Sequence, residues 1–366
     1  MNILHITALS PMSPNSGIPV VLKNLTEEQN KISGVSSKVL SIVEPVDSIG
    51  SQNFVYLNER SSIVEFIKSF GPDLAIFHGY QMEYRMMEII LRSLNIPYCN
   101  EPHGSFGRQA IKKSYIKKIV ANNTIYRSVI KNAIGYIFTN KAEMDSSVYR
   151  TSNDVVIPNG VVEKDVIEAS DKNINITSTP IFYYLGRYDI YHKGLDYLMN
   201  ALSIIDKTDE SIVVYLYGTG NKHQLEFVRE RISNFKRIKV VDKGTIYGRD
   251  KKIALESANI LLLTSRYEGS PMTILDGLTY GNPCIVTEGT NVSDEIVKYN
   301  LGWKADLTPE SIANSILLAK KEYSTSPDCY IQRCKKYVLE NYTWGKMARL
   351  SISQYRLILT NMNDNG

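Results

Sequence analysis

The chain has 366 residues, of which 43% are apolar and 22% charged, a composition that excludes a fibrous or largely disordered protein and a length that calls for two domains. A net charge of +4 is too small to point to nucleic acid. Four cysteines, Cys99, Cys284, Cys329 and Cys334, form no Cys-x-x-Cys pair, so reduced thiols are expected, with no zinc site and no disulfide frame.

In chain order, the first half alternates strands with helical stretches. Strands are predicted over Asn2 to Thr7, Lys38 to Val43, Asp73 to Phe77, around Tyr98, Tyr136 to Thr139 and Val155 to Ile157, the pattern of a parallel sheet. The chain opens without a basic leader, polar Ser10, Ser13, Asn15 and Ser16 follow the first strand, and no apolar run approaches the ~18 residues of a spanning helix. A cytoplasmic protein is therefore expected. Ser16-Gly17-Ile18-Pro19 precedes a helix and reads as an anion-tolerant turn. From Pro102 to Ala142 there is no acid, while Arg108, Lys112, Lys113, Lys117, Lys118, Arg127, Lys131 and Lys141 give a local charge of +8.

The polar stretch Val162 to Thr179, ending at Pro180, reads as the linker. This places one domain at 1–165 and the other at 178–343. Strands resume at Ile181 to Leu185, Ile212 to Tyr217, Ile238 to Val241, Asn259 to Thr264 and Cys284 to Thr287. Runs such as Ile212-Val213-Val214-Tyr215-Leu216-Tyr217 suit parallel strands buried on both faces. An amphipathic helix over about 344–361 closes the chain and is expected to pack back on the first domain.

The strongest local signal runs from Ala258 to Gly281: a buried strand, a tight loop and a short helix. Ser270 suits its N-cap, Pro271 its first position and Gly281 its end. A helix start entered from a strand offers free amides and a positive dipole end to a phosphate, and Met272 and Thr273 would supply those amides. Glu268 and Asp276 bracket that position; one could bind sugar hydroxyls and the other a ribose. The structural alternative makes Glu268 a loop cap and Asp276 a solvated helix residue. A second signal, Tyr184-Leu-Gly-Arg187 followed by His192-Lys193-Gly194, places Arg187 and Lys193 after a strand, where a planar fork of donors and a mobile point charge could clamp a diphosphate. His103, in Glu101-Pro-His-Gly-Ser-Phe-Gly107, is a stronger functional candidate than His78, which ends an apolar strand. Tyr217-Gly-Thr-Gly220 lacks the third glycine of a dinucleotide fingerprint, and no serine-hydrolase, zincin or Walker motif is present.

Together the Gly17 turn, His103-Gly104, Ile157-Pro-Asn-Gly-Val161, Gly186-Arg187 with Lys193-Gly194, and the Glu268 loop and helix resemble glycosyltransferase family 4, the retaining enzymes of the GT-B fold. The resemblance covers nearly the whole chain. It implies an α/β protein with two Rossmann-like, doubly wound parallel-sheet domains facing a central cleft, a nucleotide-diphosphate sugar donor, no metal and no other cofactor. By resemblance, Arg187 and Lys193 hold the donor phosphates, Glu268 contacts the transferred sugar, Asp276 the ribose, and His103 lies near the reacting sugar. Gly17, Gly186, Gly244, Thr245, Gly269, Ser270, Met272 and Thr273 complete the expected donor site. Asp276 stands where the family has Glu, one methylene longer, and Ser16-Gly17 where two glycines are common.

The acceptor implied is a glycan or a polyprenyl-diphosphate-linked glycan of bacterial surface polysaccharide synthesis. The basic stretch 108–131 is then expected to lie on an anionic membrane surface or meet a lipid diphosphate; a solvated basic helix face is the plain alternative. Two other functions share the nucleotide-sugar site: a sugar-nucleotide epimerase, and a non-catalytic sugar-nucleotide-binding partner subunit.

Overall fold

The computed structural model describes residues 1–8, 17–43, 52–107, 124, 126–169, 179–268 and 272–364. Ser16, Gly269, Ser270, Pro271, Arg108, Lys112, Lys113, Lys117, Lys118 and residues 170–178 of the expected linker lie outside the described residues.

The chain divides into two compact units, Met1–Gly160 with Thr343–Gly366, and Val161–Tyr342. The sequence-based limits of 1–165 and 178–343 differ chiefly at the linker, where a short helix, Glu163–Glu168, buries Val166 within the second unit.

The first unit is built on strands β1 (Asn2–Thr7), β2 (Ser36–Ser41), β3 (Phe54–Tyr56), β4 (Leu74–His78), β5 (Tyr98–Glu101), β6 (Gly135–Phe138) and β7 (Val155–Val156). They form one sheet in the order β3-β2-β1-β4-β5-β6-β7, parallel at every pairing. The second unit carries β8 (Ile181–Leu185), β9 (Val213–Tyr217), β10 (Lys239–Gly244), β11 (Ile260–Leu263), β12 (Cys284–Thr287) and β13 (Gly302–Ala305). Their order is β10-β9-β8-β11-β12-β13, again parallel throughout. Two short strands, β3 and β13, have no counterpart among the predicted ones.

Each sheet reverses its winding once, between β1 and β4 and between β8 and β11. At such a switch the connections leave in opposite directions, and the crevice beyond the carboxyl ends of those two strands is where open α/β sheets take ligands.

One face of the first sheet is apolar along its amino half, with Ile3, Leu74, Ile76, Cys99 and Ile137 packed against Ile352, Tyr355 and Ile358 of the helix Trp344–Asp364. Val21 and Leu25 of the helix Ile18–Gln29 meet Trp344, Met347 and Ala348 alongside it. The C-terminal segment is thus a layer of the first unit. Ile352 is 3% exposed, so Ile352→Ala is expected to lower the stability of the first unit by about 2–5 kcal/mol. Denaturant unfolding followed by a probe in that unit checks this; an unshifted transition would remove the helix from the core.

Candidate functional site

The site in the second unit is assembled at the β8/β11 switch. The segment after β8 runs through Gly186 and Arg187 into the helix Leu195–Ile205, and the segment after β11 runs through Ser265, Arg266, Tyr267 and Glu268 toward the helix Met272–Thr279. Gly194 is what lets the two meet. It has φ +63, and a Cβ there would stand 1.9 Å from the Thr264 carbonyl oxygen, so the left-handed turn and the close approach both require glycine. Thr264 Oγ1 in turn donates to the Gly194 carbonyl at 3.2 Å.

With the backbones this close, the side chains interlock. Lys193 Nζ donates to Glu268 Oε1 at 2.7 Å, with side-chain exposures of 16% and 8%. Ser265 Oγ donates to the same oxygen at 2.5 Å, and Asn291 Nδ2 donates to the Glu268 carbonyl at 2.5 Å. Leaving either charge alone at such burial costs about 3–5 kcal/mol, so the two hold one another in place. Two further contacts splint the loops. His192 stacks on Tyr267 with centroids 4.1 Å apart, and its Nε2 donates to the Tyr267 carbonyl at 2.8 Å. Arg266 lies between Tyr191 and Tyr197, at 4.2 and 4.4 Å from their ring centres, and forms a bidentate pair with Asp196 at 2.8 and 2.6 Å. Burial lowers the His192 pKa, opposed by Glu268 and assisted by Lys193.

Arg187 is exposed, and its carbonyl accepts from the buried Tyr184 hydroxyl at 2.5 Å. That phenol is pushed well above its usual pKa by burial and then by Glu268, with Arg187 acting against them. The Asp276 side chain, a quarter exposed, accepts at Oδ2 from Lys251 Nζ at 2.6 Å. Thr273 Oγ1 donates to the Leu185 carbonyl at 3.4 Å, tying the start of the helix Met272–Thr279 to the end of β8.

The carboxyl ends of β8, β9 and β10 are stitched together by backbone. Gly186 N donates to the Tyr217 carbonyl at 2.9 Å and Gly218 N to the Gly244 carbonyl at 2.8 Å. A Cβ on Gly218 would stand 2.0 Å from the Gly186 carbonyl oxygen. Gly244 has φ +69, and Thr245 beside it is exposed.

A second polar group occupies the β1/β4 switch of the first unit. His5, His78 and Glu101 share one face of the sheet through the registers Thr7 with His78 and His78 with Glu101, continuing toward the carboxyl ends the face that is apolar further back. His103 joins them from the loop after β5, in a left-handed backbone at φ +47. Glu143 holds that loop, accepting from Gly104 N at 2.5 Å and Thr139 N at 2.8 Å. Burial lowers the pKa of His5 and of His103 to about 4 and raises that of Glu101 to about 8. Among the described residues this is also the group with metal-ligating types: His78, Glu101 and His103 bring ligand atoms within 4.8 Å of one another.

Arg187, Lys193, Glu268, Thr273 and Asp276 are thus gathered on one unit, and His103 stands in the other. Gly17 has an ordinary right-handed backbone as N-cap of the helix Ile18–Gln29, and a Cβ there would meet nothing within 4 Å. Sequence reasoning missed Lys251, Ser265, Arg266, His5 and Glu143. Lys251 sits on another helix from Asp276, Gly248–Ser257, and no spacing rule links them. Arg266, two residues before Glu268, had a sequence signal in its tyrosine neighbours only.

Residues 179–319 match the family model described as glycosyl transferases group 1. The chain is similar to an uncharacterized glycosyltransferase of Methanocaldococcus jannaschii, at 25% identity over 231 residues, 59% of this chain and 57% of the relative. It is also similar to the lipopolysaccharide 1,6-galactosyltransferase of Escherichia coli K12, at 24% identity over 236 residues, 62% of this chain and 59% of the relative. The matches therefore span less than two thirds of either relative's own length. Among solved structures, a sucrose-phosphate synthase from Thermosynechococcus elongatus superposes with a TM-score of 0.72 at 16% identity, covering 98% of this chain and 99% of that one. HepE of Anabaena, in complex with UDP-glucose, gives 0.73 at 13% identity, covering 97% and 99%. These likenesses show the fold: the chain has the GT-B fold, two Rossmann-like α/β units. The stretch that matches the group 1 glycosyl transferase model is the one that carries Arg187, Lys193, Glu268 and Asp276.

Proposed function

We propose that the protein is a retaining, metal-independent glycosyltransferase that moves a hexose from a nucleotide-diphosphate donor to a glycan or lipid-linked acceptor. The observation that carries this reading is the Lys193–Glu268 pair at the β8/β11 switch, inside the stretch matched by the group 1 glycosyl transferase model. Support for the donor class comes from HepE, a fold relative seen with UDP-glucose. Support for a surface-polysaccharide acceptor comes from the lipopolysaccharide galactosyltransferase. The family model and both curated relatives favour transfer over epimerisation.

In this reading Arg187 and Lys193 receive the diphosphate, and the amides of Met272 and Thr273 add the field of a helix start. Lys193 exchanges part of its bond to Glu268 for a phosphate oxygen, and Glu268 turns its freed oxygen to the sugar hydroxyls. As the glycosidic bond breaks, negative charge grows on the departing diphosphate, and the two cations are already in place to meet it. Asp276, steadied by Lys251, takes the ribose, and His103 serves the transferred sugar. Gly186, Gly244 and Thr245 line the nucleotide end. The protein works at the cytoplasmic face of a membrane, held there through the basic stretch 108–131.

Lys193→Ala is expected to lower turnover by at least ~10² under saturating donor, the usual loss for one such charge-stabilising group; near-normal turnover would reject its role. Among UDP-, GDP-, ADP- and dTDP-sugars, one class is expected to raise the melting temperature, since a donor at about 100 times its Kd adds about 2.7 kcal/mol. A flat response across all of them would sink the donor assignment. Neutralising Lys112, Lys113, Lys117 and Lys118 is expected to weaken sedimentation with anionic vesicles, at about 1 kcal/mol per lysine near the surface; unchanged partitioning would remove the membrane contact.

A further inference from the structure

Beyond the carboxyl ends of β4 and β5 three side chains of metal-ligating type close on one point. His78 Nδ1 lies 3.2 Å from His103 Nε2. The Glu101 carboxylate straddles the two nitrogens, with Oε2 3.3 Å from His78 Nδ1 and Oε1 3.6 Å from His103 Nε2. These separations are longer than the bonds to either side of the group: His78 Nε2 is 2.8 Å from His5 Nδ1, and Gly104 N is 2.5 Å from Glu143 Oε1. They match the edges of a tetrahedron drawn around a zinc ion. Bonds of about 2.0–2.2 Å to imidazole nitrogen and carboxylate oxygen, set at tetrahedral angles, place neighbouring ligand atoms about 3.3–3.6 Å apart.

The surroundings are rich in donors for a cation. Glu101 and Glu143 are both buried, and among the described residues neither is paired with a lysine or an arginine. Glu143 accepts from Gly104 N, Thr139 N and Thr139 Oγ1, whereas Glu101 has only the two imidazoles beside its oxygens. Buried charges are ordinarily paired or bound to a metal. The donors also stand on firm supports. His78 and Glu101 are register partners on adjacent strands, and His5 occupies the far nitrogen of His78, the kind of outer contact that orients a ligating imidazole. His103 is kept in its left-handed backbone by the hold of Glu143 on Gly104 N, a conformation that a residue with a side chain keeps only when its surroundings impose it.

We propose that His78 Nδ1, His103 Nε2 and the Glu101 carboxylate form a three-ligand site for zinc, with the fourth position left to water or another small ligand. Two imidazoles and one carboxylate suit zinc and not magnesium, which demands oxygen ligands. Any proton carried by the three donors is released as the metal enters. Entry is past His103, whose side chain is 13% exposed against 6% for Glu101 and none for His78. Zinc seated there withdraws the His103 ring from the sugar, so it acts as an inhibitor and transfer itself still needs no metal. That consequence rests on the proposed sugar-transfer reading; the binding of zinc does not.

The test is titration of the metal-stripped, full-length protein with zinc in competition with a chromophoric chelator, with magnesium as the control cation. One equivalent of zinc is expected to bind, and excess magnesium is expected not to displace it. His103→Gln and Glu101→Gln are each expected to weaken binding at least ~10-fold, the lower end of what even an outer-shell change costs. Ring-nitrogen spectra of the histidine-labelled wild-type protein keep the test independent of how well the variants fold: zinc is expected to shift His78 and His103 and to leave His192 and His223 in place. No zinc bound by the wild-type protein would overturn the proposal. So would binding that both folded variants retain at full strength, or that shifts His223 in place of His103, because the ion would then sit elsewhere, as at exposed Cys329 or His223. The readout needs no turnover, so its failure is separate from failure of the transferase reading.

Discussion

A lysine and a glutamate, both largely withdrawn from water, face one another 2.7 Å apart beyond the carboxyl ends of two strands that are neighbours in the sheet and far apart in the chain. Neither charge could be left there alone without a cost comparable to much of a domain's net stability. Much of what surrounds the pair serves to keep it assembled. Gly194 removes the Cβ that would hold the two backbones apart, and the Thr264, Ser265 and Asn291 side chains fasten the loop that carries Glu268. Arg266, stacked between two tyrosines and bidentate to Asp196, fastens it again from behind. A site that must meet charge developing on a leaving group benefits from this rigidity, because groups already in position need no reorganisation when the charge arrives.

The first unit solves a different problem at the same topological position. Its sheet face begins apolar and ends in His5, His78 and Glu101, all buried. Buried polar groups are tolerated only when bonded, and the bonds come from helices at both ends of the chain: Gln29 near the amino terminus and Ser351 near the carboxyl terminus, 322 positions apart. The returning helix Trp344–Asp364 therefore does two things. It covers Ile3, Leu74 and Ile76, and it supplies the hydroxyl that ends the polar line. Both switch points thus carry polar chemistry on otherwise apolar sheets, one as a largely buried ion pair and one as a line of hydrogen-bonded imidazoles.

Much of this was legible in the residues. Apolar runs bounded by glycine and polar residues placed eleven of the thirteen strands among the described residues, because a strand buried on both faces leaves a continuous signal. Lys193, Arg187, Glu268 and Asp276 stood out because each follows a strand in a segment with turn and capping chemistry. His78, at the end of an apolar strand, reads as a core histidine, and the structure buries it there; only the register beside Thr7 and Glu101 shows which polar groups it bonds.

By itself the sequence determined local things: where strands and helices form, where glycine turns interrupt them, and which charged residues sit in the turns. Those depend on neighbours a few positions apart, and periodicity and capping report them. Only the tertiary structure decided which charges meet. Lys193 with Glu268, Asp276 with Lys251 and Gln29 with Ser351 are pairs separated by 75, 25 and 322 positions. Strand order and helix packing bring them together, and a hydrogen bond is selected by distance in space, to which separation along the chain is no guide.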